Sequence, residues 1–376
     1  MRSLLALLVL AATLGLSSAA SAAVPREVPR GFQGVMYDGA SLHSPAPVKE
    51  RQFDLMAASG VESVRFVFIW ENMQPTRDSE FNFEQTDPIV ELAATRGITV
   101  LPVMLYAPPW ARAFPKRILS PPRTQAYQAY LRASIERYGP DGSFWLDRPD
   151  VPWRPIRDWQ IWNEPSIRPF WDVAQSNERY GWPHGYARLL GAADQTIKAN
   201  DAGARTVLGG LNGLAWDELR RLYNEGARDF FDVMAVHVYA QTPRRVLGAL
   251  RLTREALDEE GDVRKPIFLT ETAFPASRGR AKAIEHQRQE TPTGMARRVT
   301  DLFSLLAKAR RELKLGRVSW YTWASGYKHR TSNFEYAGLL ASRDGLTFRA
   351  QPALRAFRSI ARRLQGCAKD PRGKCR

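Results

Sequence analysis

The chain has 376 residues, of which 44% are hydrophobic and 11% aromatic, and its formal net charge is +15 at pH 7. This composition can bury a large core, and no linker or low-complexity tract interrupts it, which excludes a disordered protein. The basic residues occur throughout the chain, without a helix-turn-helix pattern, a zinc-finger spacing or an aromatic RNA-binding strand. We therefore expect them on solvated helix faces and predict no nucleic-acid partner.

The N-terminal segment has the pattern of a secretory signal peptide. Residues 1–23 contain one arginine, an apolar stretch from Leu4 to about Leu16 and then small residues, among which Ala20-Ser21-Ala22 fits a cleavage site. A membrane anchor is the alternative, but the apolar stretch is shorter than the ~20 residues that a span requires. We therefore expect residues 1–23 to be cleaved and the mature chain to be secreted or extracytoplasmic, without a membrane span.

Eight short apolar runs along the mature chain predict β-strands. They lie at Phe32–Tyr37, Ser63–Ile69, Thr99–Leu105, Trp159–Trp162, Thr206–Gly209, Val233–Tyr239, Ile267–Thr270 and Val318–Trp323. Amphipathic patterns between and after them predict helices, at Val48–Ser59, Ile89–Arg96, Gln125–Tyr138, Tyr186–Ala199, Asp217–Ala227, Arg244–Glu259, Ala296–Leu313 and Pro352–Leu364. Strands that are apolar on both faces and alternate with helices indicate a parallel sheet covered by helices.

Eight such units predict the α/β class and a single (β/α)8 TIM barrel, which we expect to form one catalytic domain over residues 24–366. An open, doubly wound sheet is the alternative. No GxGxxG motif follows an early strand, which weakens a dinucleotide-binding protein of that kind. In a barrel, functional residues gather where the strands end, at the C-terminal face.

The C-terminal tail, residues 367–376, contains both cysteines, Cys367 and Cys375. An oxidising compartment favours their pairing, and the turn-forming residues between them can bring them together. We expect a disulfide that pins the tail and does not carry the fold. Metal binding by two cysteines is disfavoured because no histidine cluster lies nearby.

Two of the predicted strands end in a carboxylate. The segment RDWQIWNEPSIRPFW carries Asn163 and Glu164 directly after an apolar strand, and KPIFLTETAFP places Glu271 at the end of the seventh strand. Two carboxyl groups that meet over a barrel mouth can divide their roles, one as a general acid and one as an ionised nucleophile. Glycoside hydrolysis through a covalent intermediate uses such a pair of carboxyl groups. The alternative is that they are ordinary strand-end carboxylates, or that one caps a helix.

Arg65 interrupts SVRFVFIW, an otherwise bulky apolar strand. A guanidinium group cannot be deprotonated at useful pH, so inside a barrel it must face carboxylates or carbonyls. Placed below Glu271, it would keep that carboxylate ionised and oriented. A structural ion pair with Glu71 or Asp38 is the alternative.

These residues together resemble the clan A retaining glycoside hydrolases. The motifs are WNEP after strand four, TET at strand seven, Arg65 on strand two, His237-Val-Tyr239 on strand six and Trp323 on strand eight. The resemblance implies a (β/α)8 barrel in which Glu164 is the acid/base and Glu271 the nucleophile. Within the clan, WNEPSIRPFW and YARLLGAADQTIKANDAGARTVLGG are most similar to family 39.

Features of family 5 are present too, namely Arg65 and the HVY motif. Family 5 members usually carry a histidine near the end of strand three, where this chain has Tyr106 and Trp110 instead. A family 5-like endo-acting cellulase or mannanase is therefore the alternative enzyme. A catalytically silent carbohydrate-binding barrel is the alternative outside enzymes, although no expected catalytic group is missing.

The resemblance also implies roles for the supporting residues. Asn163 would hydrogen-bond the sugar 2-hydroxyl, and Tyr239 would donate its phenol to the nucleophile. His237 would position a sugar hydroxyl or Glu164, unless it is a packed structural histidine. Trp323 would form the floor of the sugar subsite, unless it is a core residue. Aromatic residues near the strand ends predict a cleft for a sugar chain, namely Trp70, Trp110, Phe170, Trp171 and Trp182.

The predicted function is thus a secreted retaining glycosidase that acts as a monomer on a poly- or oligosaccharide. We expect no cofactor and no metal site, because the five histidines are scattered without ligand spacing. The loops after strands three, seven and eight are basic, which would suit an acidic polysaccharide as substrate. The alternative is that a chain with a net charge of +15 has basic loops almost anywhere. Their basic residues are Arg112, Lys116, Arg117, Arg278, Arg280, Lys328, His329 and Arg330.

Overall fold

The structure is a computed structural model that describes residues 25–172, 181–282, 289–326 and 332–366. Several predictions made above fall outside these residues. They concern the signal peptide at residues 1–23, the cysteines Cys367 and Cys375, and the basic residues Lys328, His329 and Arg330.

Eight parallel strands form the centre of the molecule. They are β1 (Gln33–Met36), β2 (Ser63–Ile69), β3 (Thr99–Leu105), β4 (Asp158–Ile161), β5 (Arg205–Val207), β6 (Met234–His237), β7 (Ile267–Thr272) and β8 (Leu315–Trp320). They lie in the order β5-β4-β3-β2-β1-β8-β7-β6. The parallel bridges Val207–Val233 and Leu211–Val236 join β5 to β6, so the sheet closes into a barrel.

Helices surround the strands. They are α1 (Ala46–Ala58), α2 (Trp70–Met73), α3 (Asp87–Thr95), α4 (Thr124–Tyr138), α5 (Ser143–Asp147), α6 (His184–Asn200), α7 (Ala215–Asn224), α8 (Pro243–Glu259), α9 (Pro292–Leu313) and α10 (Pro352–Gln365). Within the described ranges, no helix combines the length and the apolar character needed to cross a bilayer.

The predicted (β/α)8 barrel is confirmed. All eight predicted strands are present, and their ends differ from the predicted ones by at most three residues. The strands are buried on both faces, since helices cover the outside and side chains fill the inside. The longest register is that of β2 with β3, which runs from Ser63–Thr99 to Ile69–Leu105.

The predicted eighth strand is displaced by three residues, and this difference reaches the site. β8 ends at Trp320, whereas the aromatic run had suggested Trp323. Beyond Trp320 the chain leaves the barrel and forms a small second sheet, with the strands β9 (Ala324–Ser325), β10 (Leu340–Ser342) and β11 (Phe348–Ala350). The amide of Trp323 donates to the carbonyl of Met36, and its carbonyl accepts from Leu340.

An ion-pair cluster occupies the N-terminal end of the barrel, opposite the mouth. Asp158 begins β4, and its carboxylate lies 2.8 Å from the Arg205 guanidinium and 3.1 Å from Nη2 of Arg317. Arg317 also lies over the ring of Phe268, with 4.7 Å between its Cζ and the ring centroid. Filled by these side chains, the bottom of the barrel is closed.

Packing of α9 against α10 supports the barrel from outside, and it yields a test. The rings of Phe303 and Phe357 are both buried and meet edge to face, with centroids 5.2 Å apart. Truncating a buried phenylalanine to alanine removes transfer energy and leaves a cavity. Phe357→Ala should therefore lower the free energy of unfolding by about 3–5 kcal/mol in urea titrations. The control Leu252→Ala, at a position 43% exposed on α8, should change it by less than ~0.5 kcal/mol. Equal losses in both variants would contradict this assignment of the core.

Candidate active site

Glu164 and Glu271 meet at the C-terminal mouth of the barrel. Glu271 is the penultimate residue of β7, and Glu164 follows β4 by three residues. Both side chains are almost buried, with exposed fractions of 8% and 9%. A carboxyl oxygen of Glu164 and one of Glu271 lie within 4.8 Å of each other.

The backbone around Glu164 is strained. Trp162 and Glu164 adopt positive φ angles of 68° and 42°, which L-residues rarely occupy. Each such residue costs on the order of 1–3 kcal/mol and persists because the surrounding structure imposes the conformation. A hydrogen bond of 2.6 Å from the Glu164 amide to the carbonyl of Gly209, after β5, holds this turn. The turn directs the carboxyl group into the mouth.

Arg65 organises the floor of the site. Its side chain is 1% exposed, and its guanidinium group donates in three directions. Nη1 lies 2.6 Å from Oε1 of Glu271, Nη2 lies 2.7 Å from Oδ1 of Asn163, and Nε lies 2.7 Å from Oε1 of Gln160. Of the two alternative partners, the Glu71 carboxylate pairs with Arg112 at 2.8 Å. The charge of Arg65 acts on Asp38, but these two described side chains form no ion pair.

His237 lies between the two carboxyl groups. Its Nδ1 is 2.7 Å from Oε1 of Glu164 and 3.6 Å from Oε2 of Glu271. Its Nε2 is buried and has no hydrogen-bond partner among the described residues. An N–H group at Nδ1 fits these contacts, because it can donate to Oε1 of Glu164. Gly210 makes the ring position possible, since a Cβ there would lie 2.4 Å from Nε2.

Tyr239 donates its phenol to Oε2 of Glu271 over 2.6 Å. Burial, together with the neighbouring charge of Glu271, raises the pKa of Tyr239 well above its ordinary value. The phenol therefore keeps its proton and acts as a donor throughout the physiological pH range.

Glu271 is the carboxyl group that this environment keeps ionised. Burial acts to raise its pKa, but the positive charges of His237 and Arg65 and the hydrogen bonds from Tyr239 and Arg65 outweigh it. The pKa of Glu271 therefore lies below its ordinary value. An ionised carboxylate with fixed donors on both oxygens is suited to act as a nucleophile.

A cavity of about 430 Å³ opens above these groups. Aromatic rings form much of its wall, namely Tyr106, Phe170, Tyr239, Tyr321 and Phe334. Its polar lining includes Asp38, Arg65, Asn163, Glu164 and Glu271. The cavity is thus apolar at the sides and strongly polar at the floor, as in sites that bind a small ligand.

Asp38 is a site residue that the sequence analysis considered only as an alternative partner of Arg65. It follows β1, and its carboxylate contacts the hydroxyl groups of Thr322 and Tyr321. Burial raises the pKa of Asp38 to about 6. A polar residue directly after an apolar strand was the available signal, as it was for Glu164.

The predicted tryptophans lie beside the cavity and not in it. Trp323 is 0% exposed and does not line the cavity, so the structure does not place it as a floor for a sugar. Trp110 packs edge-on against Trp70, with ring centroids 5.7 Å apart, and donates Nε1 to the carbonyl of Gln74. Tyr321 and Phe334 line the cavity instead, because the chain leaves the barrel at Trp320.

Three of the five basic loop residues that the structure describes have acidic partners. Besides the Arg112–Glu71 pair, Arg117 pairs with Asp172. Arg278 lies 3.7 Å from Glu290. These pairs weaken the suggestion that the loops attract an acidic polymer.

Glu164, His237 and Glu271 are the described side chains whose spacing comes closest to a metal site, since one ligand atom of each lies within 4.8 Å of the others. Their remaining contacts do not favour a cation. Arg65 already neutralises one oxygen of Glu271, and Tyr239 donates to the other. A divalent ion would lie next to a buried guanidinium group. The arrangement suits proton transfer and nucleophilic attack better than metal binding.

Comparison with solved structures gives the relatives of this fold, whereas no family model and no curated protein matches the sequence. A family 39 glycoside hydrolase from the gut symbiont Bacteroides cellulosilyticus WH2 aligns with a TM-score of 0.68 at 17% identity, over 90% of this chain and 64% of that one. A GH39 β-xylosidase from Caulobacter crescentus aligns with a TM-score of 0.59 at 16% identity, over 91% and 73%. GH5_18 from Streptomyces cattleya, in complex with GlcNAc, aligns with a TM-score of 0.63 at 20% identity, over 90% and 81%.

The chain has the barrel fold of these glycoside hydrolases. The predicted resemblance to families 39 and 5 is therefore confirmed at the level of the fold, which is what identities this low establish. This chain spans just under two thirds of the length of the Bacteroides structure. The activity is argued below from the site itself.

The Arg65–Glu271 pair gives a test that needs no substrate. Arg65→Met removes the charge and leaves Glu271, Asn163 and Gln160 without their donor, so the pKa of Glu271 should rise. NMR titration of ¹³C-labelled glutamate side chains would measure this change.

The same variant tests the pH dependence of stability. Because the pKa of Glu271 is depressed in the folded state, its ionised carboxylate stabilises the wild type at pH values above the ordinary pKa of a glutamate, and this stabilisation is lost as the pH falls. The variant should lack that pH dependence and be less stable at pH 7 by about 3–5 kcal/mol. An unchanged Glu271 titration would show that Arg65 does not control this carboxyl group.

Proposed function

We propose that the protein is a secreted retaining glycoside hydrolase that cleaves O-glycosidic bonds of a poly- or oligosaccharide by double displacement. The observation that carries the proposal is the pair of buried carboxyl groups at the ends of β4 and β7, with oxygens within 4.8 Å of each other and with different partners. Glu271 is held as an anion by Arg65 and Tyr239, whereas Glu164 contacts the ring of His237.

In the first step, the protonated carboxyl group of Glu164 gives its proton to the glycosidic oxygen. The bond between that oxygen and the anomeric carbon breaks as the Glu271 carboxylate attacks the carbon from the opposite side. The alcohol leaves, and a glycosyl ester of Glu271 forms. The spread of positive charge over the sugar ring in the transition state is stabilised by the nearby carboxylate.

In the second step, the ionised Glu164 removes a proton from water, and the water oxygen attacks the anomeric carbon. The ester bond breaks, Glu271 returns as a carboxylate, and Glu164 is protonated again. Two inversions give net retention. The contact of 2.7 Å between Nδ1 of His237 and Oε1 of Glu164 supports this role, because it holds the carboxyl group in position.

The separation of the carboxyl groups favours retention over inversion. Retaining enzymes place them ~5–5.5 Å apart, whereas inverting enzymes leave ~6.5–9.5 Å for a water molecule. One oxygen of each group lies within 4.8 Å of the other, an upper limit that is compatible with the shorter spacing. Asn163, which lines the cavity and is fixed by Arg65, is suited to hydrogen-bond the sugar 2-hydroxyl.

Two kinds of glycoside hydrolase fit this function. A family 39-like enzyme is favoured by the WNEPSIRPFW segment and by the TM-score of 0.68 with the Bacteroides structure. A family 5-like enzyme is the second candidate, supported by the alignment with GH5_18. A silent carbohydrate-binding barrel is disfavoured, because every group that the mechanism requires is present and in contact.

The mechanism predicts different effects for the two glutamates. Glu271→Ala should abolish turnover of aryl glycosides, because no ester can form. Glu164→Ala should still form the glycosyl ester from substrates with good leaving groups, and should slow its hydrolysis by ~10²–10⁴-fold. Burst kinetics and mass spectrometry of the trapped ester would measure this. Glu84→Gln, at an exposed position, is the matched control and should behave as wild type.

NMR of the first product tests the stereochemistry directly. The anomer formed before mutarotation should have the configuration of the substrate. An inverted first product would exclude the double displacement, and full activity of Glu271→Ala would exclude Glu271 as nucleophile.

We also propose that the chain is exported, with residues 1–23 removed and Cys367 joined to Cys375. The intact mass of protein recovered outside the cytoplasm should correspond to a chain that begins near Val24. Reduction should add about 2 Da, because one disulfide opens. Detection of the uncleaved N-terminus, or of two free thiols in the denatured protein, would contradict this proposal.

A further inference from the structure

Acidic residues outnumber basic residues in the lining of the cavity. Three of its lining residues are acidic, namely Asp38, Glu164 and Glu271, and Arg65 is the one cation among its described lining residues. Arg65 is 1% exposed, and its donors are directed at Glu271, Asn163 and Gln160. Its guanidinium group is therefore not available to a carboxylate on a bound sugar.

Asp38 adds a third carboxyl group that the double displacement does not use. Its carboxylate contacts the hydroxyl groups of Tyr321 and Thr322. An ionised carboxylate accepts about four hydrogen bonds, so Asp38 has acceptor capacity left on the side of the cavity. A sugar hydroxyl is a donor that matches it.

Three arginines of the loops after β3 and β7 are paired with acidic residues or lie at another cavity. Arg112 and Arg117 are paired with Glu71 and Asp172. Arg280 lines a separate cavity of about 450 Å³, together with Arg343 and Arg349. A sugar carboxylate beside the catalytic glutamates would meet like charges and would lose its hydration.

We propose that the sugar bound in this cavity is uncharged, that Asp38 accepts a hydrogen bond from one of its hydroxyl groups, and that sugars carrying a carboxylate are excluded there. The inference rests on the proposed glycosidase function and names its substrate class. It also replaces the acidic-substrate expectation drawn from the basic loops, at least for the sugar whose bond is cleaved. Asp38 is thus a specificity-determining residue.

The test compares aryl glycosides that share one leaving group and differ only in the sugar. The panel contains xylosides, glucosides, galactosides and mannosides, together with the matching glucuronide, galacturonide and mannuronide. The wild type should cleave at least one neutral glycoside with a kcat/KM about 100-fold or more above that of its uronide, because like-charge contacts cost several kcal/mol.

Asp38→Asn separates this role from a structural one. The amide keeps the shape but removes the negative charge, so KM for the preferred neutral glycoside should rise by ~10-fold or more, with a smaller change in kcat. The ratio of uronide to neutral kcat/KM should increase by at least ~10-fold. Glu84→Gln removes a charge outside the cavity and should leave this ratio unchanged.

Binding measurements cover the case in which Asp38→Asn does not fold. Calorimetry with Glu164→Gln, which keeps the Arg65–Glu271 contact, should detect binding of the preferred neutral sugar as its methyl glycoside and no binding of the matching methyl uronide. If uronides are cleaved or bound as well as neutral glycosides, the inference is wrong and the glycosidase function stands. Equal loss of activity on both classes in a folded Asp38→Asn would also overturn it. If neither class is cleaved by the wild type, the proposed function itself fails, and the inference falls with it.

Discussion

The buried contact between Arg65 and Glu271 is the interaction on which the site depends. An unpaired carboxylate in this position would be expensive to desolvate and would take up a proton, which would remove its nucleophilic character. The guanidinium group, 1% exposed, prevents this and at the same time holds Asn163 and Gln160 through its other donors. One side chain from β2 therefore links β4 and β7 across the barrel. Such a cluster is a poor source of stability compared with an apolar core, and the nucleophilic role proposed for Glu271 gives a reason for its presence in the barrel.

Much of the fold could be predicted from the sequence, because the signals were local and repeated. Strands such as Ser63–Ile69 and Thr99–Leu105 are apolar on both faces, and their bounds agree with the structure at both ends. Glu164 and Glu271 could be found because a carboxylate that ends an apolar strand is conspicuous, and barrel topology brings strand ends together. Arg65 was recognisable for a related reason, since a cation inside an apolar strand must have an anionic or carbonyl partner.

The parts that were missed depend on tertiary structure. The aromatic run VSWYTW gives no local indication of where the chain leaves the barrel, so strand eight was extended to Trp323, a ring that is 0% exposed and does not line the cavity. Phe334 lies in the excursion after β8, and nothing in its immediate sequence connects it with the cavity. Asp38 was overlooked because an aspartate after a strand is common in turns. The arginines of the loops carried no sign that acidic residues elsewhere in the chain would pair with them.

The small sheet formed by β9, β10 and β11 shapes one wall of the cavity, whereas the barrel holds the polar groups at its floor. Its first strand follows Tyr321, and its hairpin is tied to the region after β1 by a hydrogen bond from Ser44 to the carbonyl of Gly345. Phe334 is therefore presented to the cavity by an insertion with its own hydrogen-bonded frame, whereas Arg65, Glu164 and Glu271 belong to the barrel. Changes in the length or sequence of the insertion can reshape one wall of the cavity and leave the reacting groups in place. For the glycosidase proposed above, this arrangement allows substrate preference to diverge faster than the reaction.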